Sequence, residues 1–90
     1  MGRKVTPDED REHGRRLGAA LAARRAERAC SAPDLAQASS VAIDTVRSLE
    51  NGRVAVPAFL TVARLAGALG LSLDELHAAA MRDVSAGQPT

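Results

Sequence analysis

The chain has 90 residues, a 46% apolar share dominated by Ala, Leu and Val, one aromatic residue (Phe59) and a formal net charge of +1. That length fills one core but not two, and the apolar share excludes a disordered polar chain. The shortage of Ile, Thr, Tyr and Phe argues against a sandwich or barrel and for helices.

The charge is unevenly placed. Residues 1–30 hold eight Lys/Arg against five Asp/Glu, whereas residues 31–90 hold four against six. A more basic first segment reads either as an anion-facing surface or as a solvated helix face. Cys30 stands alone, so no intramolecular disulfide is expected, and a small core thiol in a reducing, cytoplasmic setting fits. No apolar run approaches the roughly 20 residues of a membrane-crossing helix. The start, MGRKVTPDED, lacks the apolar stretch of a signal peptide.

In chain order, residues 1–5 read as a loose arm. Thr6-Pro7-Asp8-Glu9 places an N-cap, a first-turn proline and a glutamate three residues after the cap, which starts a helix over residues 7 to about 29. Gly14 and Gly18 weaken its early half by about 1 kcal/mol each. Its most secure part is 16–28, where Leu17 and Leu21 share a face. Ser31-Ala32-Pro33-Asp34 is a second capping signal and opens a short helix over 32–39, with Leu35 and Ala36 inward. After a tight connection at Ser39-Ser40-Val41, a third helix over 43–51 carries Val46 and Leu49, and Gly52 suits the left-handed position past its end. Pro57 starts a fourth helix reaching about residue 69. Its apolar stripe is Phe59, Ala63, Ala66 and Leu69, joined by Leu60, Val62 and Leu65, and Gly70 stops it. Ser72-Leu73-Asp74-Glu75 is a third capping box, opening a fifth helix to about residue 82. Residues 85–90 form a polar tail, so the domain proper runs from 6 to 84.

Two short helices joined by a tight turn suggest a helix-turn-helix over residues 32–49. Leu35 points to the core, Ala36 is small where the next helix crosses, and Val41, Val46 and Leu49 pin the second helix to the first. Ser40 stands where glycine is preferred, because a left-handed conformation is expected there.

The run SAPDLAQASSVAIDTVRSLENGRVAVPAFLTVARLAGALGLSLDEL resembles the Cro/cI-type, or XRE, helix-turn-helix family, from about Leu17 to Leu76. The match comprises LA after the cap, LENG closing the third helix, proline before an aromatic-led fourth helix, LA…ALGLS, and DEL. The resemblance implies an all-α, compact five-helix domain like that of lambda repressor, with the helix-turn-helix formed by the second and third helices. It implies a regulator that binds double-stranded DNA with the third helix in the major groove. A repressor acting as a homodimer on a palindromic operator is the expected form.

The resemblance also assigns roles. Glu50 is expected to pair inward with Arg25, and burial logic agrees, because a carboxylate beside Leu49 is costly unless paired. Bases are expected to be read by Ile43, Asp44, Arg47 and Ser48: a thymine methyl suits Ile43, a cytosine amino group Asp44, and a guanine or a phosphate Arg47. Ile43 has a second reading as an exposed apolar residue or a protein contact, and Asp44 one as a charge favoured by the helix dipole. Phosphates are expected at Ser31, Ala32, Thr45, Asn51 and Arg53. The chain departs from the family at Ala32, where Gln is usual, at Pro33, which removes a backbone donor, and at the neutral loop Val54-Ala55-Val56. Modest affinity per subunit follows, with Arg11, Arg15, Arg16 or the arm residues Arg3 and Lys4 as compensating cations. The apolar stretch over 54–59 is the expected dimer contact.

No catalytic or metal constellation is visible. His13 and His77 fall on different helices without further ligands at coordinating spacing and read as exposed helix residues. Neither enzyme activity nor a cofactor, metal or membrane is expected. The competing reading is a protein-interaction module, antitoxin-like or sigma-factor-regulating, on the same scaffold.

Overall fold

The computed structural model describes residues 7–82. These form α1 (Pro7–Glu27), α2 (Ala32–Ser39), α3 (Ile43–Glu50), α4 (Phe59–Ala68) and α5 (Leu73–Met81), with no strand among the described residues. The fold is all-α, with α1 packed on α3 and α5, and α2 packed on α3 and α4.

One stripe of α1 explains its central place. Gly14, Leu17, Gly18 and Leu21 are its buried residues, spaced as one helical face. Leu17 and Leu21 join a core completed by Leu35, Val41, Val46, Leu49, Val62, Leu65, Ala66, Leu69, Leu76 and Ala80. The glycines do something else. A Cβ on Gly18 would collide with the Leu49 carbonyl, and one on Gly14 with the Val54 and Ala55 carbonyls. These two positions let other backbone segments lie directly on α1. The sequence reading counted them only as weak helix formers.

Helix ends follow the expected chemistry. Ser31 Oγ accepts from the Asp34 backbone N–H at 3.1 Å, and at Ser72 both halves of the capping box form. The Thr6 cap lies outside the described residues, as do the arm over 1–5 and the tail over 85–90. Past their C-termini, α1 to α4 each carry a residue of positive φ: Ala29, Ser40, Gly52 and Gly70. In each case the next N–H reaches back five residues: Cys30 to Arg25, Val41 to Ala36, Arg53 to Ser48 and Leu71 to Ala66. This is the Schellman closure. Ser40 thus adopts the left-handed conformation expected of the turn, with φ 60° and ψ 35°.

The fourth helix departs from expectation. It begins at Phe59, with Ala58 as N-cap, not at Pro57. The preceding segment is irregular, bending at Ala55 and Val56, and its Val54 and Ala55 carbonyls lie against α1 at Gly14. The buried face of α4 is Val62, Leu65 and Ala66, continued by Leu69 just beyond it. Phe59 and Leu60, assigned to the inner stripe from sequence, are 70% and 57% exposed. Phe59 stands at the rim of the space between α1 and α5 and is not enclosed by it. The ends of α1, α3 and α4 fall one or two residues short of the expected boundaries, where the closures above take over, and α5 ends at Met81 with Arg82 extended.

Candidate nucleic-acid interface

The α2–turn–α3 unit is anchored from within. Leu35, Val46 and Leu49 are essentially inaccessible, and Val41 is buried after the turn. Ser39, also buried, donates its hydroxyl to the Leu35 carbonyl at 2.7 Å, so it satisfies itself without disturbing the crossing.

With Val46 and Leu49 inward, the opposite edge of α3 faces solvent. Ala42, Asp44, Arg47 and Asn51 are exposed, while Ile43, Thr45 and Ser48 are half-buried. Arg53 is exposed just past the Gly52 turn, where φ is +74°. Among the described residues, the guanidinium groups of Arg47 and Arg53 form no ion pair, unlike those of Arg11, Arg15, Arg16, Arg24 and Arg25.

The N-terminus of α2 is less generous. Ser31 is exposed, and its oxygen is already the cap of α2. Ala32 is half-buried against the core and offers only its backbone. Pro33 has no N–H, and that of Asp34 is taken by Ser31. This edge holds one free donor fewer than a helix start normally presents.

Arg25 and Glu50 set the height of α3 on α1. Arg25 Nε donates to Glu50 Oε2 at 2.7 Å and Nη2 to Oε1 at 2.8 Å, while Nη1 donates to the Cys30 carbonyl at 3.0 Å. The fork is bidentate, with Glu50 nearly buried, which is the strong form of the interaction. Hydrogen bonding to Glu50 holds the Arg25 pKa above its ordinary value. The pair joins the end of α1 to the last residue of α3, close to the Gly18 crossing.

The α1 cations named as compensators are occupied. Arg11 pairs with Asp8, and both Arg15 and Arg16 pair with Glu12. Arg16 Nε also donates to the Ala80 carbonyl at 2.6 Å and so ties α1 to α5. Cys30 is half-buried against the core rather than within it.

The two histidines are not independent surface residues, because α1 and α5 bring their rings to 6.1 Å. His77 is exposed and His13 only half-exposed. Sequence spacing across separate helices holds no signal for that approach. The glycine crossings did leave one: Gly14 and Gly18 lie in register with Leu17 and Leu21.

Among the described residues, no group of three or more His, Cys, Asp or Glu side chains could hold a metal ion. No helix there is long and apolar enough to cross a membrane. No curated protein matches the chain at significant similarity. A family model described as a helix-turn-helix domain matches residues 16–79. That span takes in most of α1 and all of α2 to α4, and with the anchored α2–turn–α3 unit it shows that the chain belongs to this helix-turn-helix family, in keeping with an XRE-like DNA-binding protein.

Proposed function

We propose that the protein is a sequence-specific regulator of transcription that represses by occupying a palindromic operator as a homodimer, with α3 in the major groove. The observation that carries this reading is the solvent edge of α3: Asp44, Arg47 and Asn51 lie exposed on a helix fixed from behind by Val46 and Leu49. Ile43, Asp44, Arg47 and Ser48 are the base readers. Ser31, Ala32, Thr45, Asn51 and Arg53 meet phosphates, Ala32 through its backbone and Arg53 as a free cation. Two subunits read half-sites about 34 Å apart. Exposed Val56 and Phe59, with Leu60 beside them, support a contact between subunits through residues 54–59. With Arg11, Arg15 and Arg16 already paired, few cations remain for phosphate, so affinity per subunit is modest. A cytoplasmic location follows from this role.

Selection from a random duplex library at physiological salt tests the reading. The expected result is a two-fold symmetric motif whose binding weakens steeply with salt. Arg47→Ala should reduce binding without lowering the melting temperature. An unenriched pool favours the second reading, a protein-interaction module of antitoxin-like or sigma-factor-regulating type. The same apolar exposure at Val56 and Phe59 supports that alternative, together with the acidic Asp44 on the outer edge of α3.

A further inference from the structure

Between α1, the segment before α4, and α5 lies a cavity of about 350 Å³. Its floor is core: Leu17, Val62 and Leu76 are all buried. Its wall is apolar and exposed, formed by Val56, Phe59 and Leu73. Its polar lining is confined to three side chains, Asp10, His13 and His77. The volume falls within the roughly 300–1,000 Å³ of small-molecule sites, which combine an apolar lining with a few convergent polar groups.

The three polar groups share a second property. Asp8 and Glu12 hold arginines in the same part of α1, and Glu27 holds one further along. The Asp10 side chain, half-buried among them, has no hydrogen bond or ion pair among the described residues. Neither imidazole has a hydrogen bond, only the ring contact between the two. No lysine or arginine among the described residues lines the cavity. Its polar edge is therefore one uncompensated carboxylate beside two rings that each offer an acceptor nitrogen when neutral.

We propose that this cavity binds a small amphiphilic cation, an aromatic or alkyl body carrying a protonated amine. The body covers Leu17, Val62 and Leu76. The ammonium donates to the Asp10 carboxylate and to the neutral imidazoles, and Phe59 offers a ring face for a cation–π contact. An anion would meet Asp10 unfavourably, and a neutral apolar molecule would leave its charge unused. The site is separate from the solvent edge of α3, and binding is read on the free protein, so its failure leaves the duplex selection untouched.

The test is an NMR titration of the ¹⁵N-labelled full chain with 4-phenylbutylamine, matched against neutral 4-phenylbutanol and anionic 4-phenylbutyrate. Saturable shifts are expected for the amine at Asp10, His13, 55–59 and 73–77, with affinity about tenfold above that of the alcohol, a difference of about 1.4 kcal/mol. The acid should leave these residues unmoved. Asp10→Asn should remove the tenfold preference while leaving the melting temperature and alcohol binding unchanged. Equal affinity for amine and alcohol, or a preference that survives Asp10→Asn, overturns the proposal. A contact between subunits at the 54–59 rim leaves the cavity open, so concentration-dependent shifts confined to 54–59 are compatible with it; shifts at Asp10, His13 and 73–77 on raising protein concentration without a probe overturn it, because a second copy then fills the cavity.

Discussion

Two sides of α1 are built in opposite ways. Toward α3, the helix gives up a side chain at Gly18 so that the Leu49 carbonyl can lie on it, and a bidentate Arg25–Glu50 fork closes the crossing. Toward α5 and the segment before α4, the same helix leaves Asp10 and His13 without hydrogen bonds beside exposed Val56 and Phe59. The first side is closed by backbone contact and paired charge, and little there is left for a ligand. The second keeps apolar surface and polar groups uncommitted. Committed packing and uncommitted surface are thus divided between faces of one helix, and substitutions should separate them.

The largest effect should come from Gly18→Ala. Alanine would improve helix propensity by about 1 kcal/mol, but its Cβ meets a backbone carbonyl that cannot move aside alone. The helices must part, which strains the neighbouring fork. A net loss of about 3 kcal/mol, the upper end for overpacking, is expected in urea denaturation. A loss below about 1 kcal/mol would mean that α1 and α3 are not in backbone contact.

Glu50→Ala should follow, at about 2 kcal/mol, below the loss for a fully buried pair because the Arg25 side chain it strands is 24% exposed. Glu50→Gln keeps the shape and one acceptor, so it should lose less than half as much. If the two variants are equally destabilised, the fork contributes through its charge alone. If neither is destabilised, the crossing is held by Gly18 and the core.

The sealed side was partly legible in the sequence. LENG and its resemblance pointed to Arg25–Glu50, and Leu35, Val46 and Leu49 were read inward, because helical periodicity records burial directly. Gly18 was misread, since a glycine looks like a propensity cost until the neighbour that needs its space is known. The open side was misread more seriously. From sequence, Phe59 falls on the inner stripe because it lies four and seven residues before Ala63 and Ala66, at helical spacing. Periodicity reports which way a residue faces, not whether anything is packed there. The His13–His77 approach depends on how α1 and α5 pack, which local spacing does not encode. The proposed base readers are legible only as exposure: Asp44 and Arg47 lie on the edge of α3 opposite Val46 and Leu49, and both face solvent.

On the open side, Phe59→Ser should change stability by no more than about 0.5 kcal/mol, because the ring is already mostly in water. A loss above 1.5 kcal/mol would show the ring to be packed in solution. That outcome would erase the contrast between the two faces, and sedimentation of both proteins would show whether a second copy does the packing.

The smallest effect concerns the start of α5, the wall of the open side. The Ser72 backbone N–H donates to Glu75 Oε1 at 3.1 Å, and Ser72 Oγ accepts from the Glu75 N–H at 3.0 Å. The backbone hydrogen bond is the main reason that the Glu75 carboxyl titrates below its ordinary range. A carboxylate lowered in the folded state stabilises above its unfolded pKa, and this is lost as pH falls through the folded one. Glu75→Gln keeps an acceptor for the Ser72 N–H but removes the charge at the helix start. The wild type should therefore be slightly the more stable at neutral pH, with the difference vanishing as pH drops below the carboxylate range. A difference that stays constant across that range would show that the cap uses geometry and not charge. Leu73 and Leu76 line the cavity from the same first turn, so at neutral pH, where Asp10 keeps its charge, Glu75→Gln should also weaken the amine slightly.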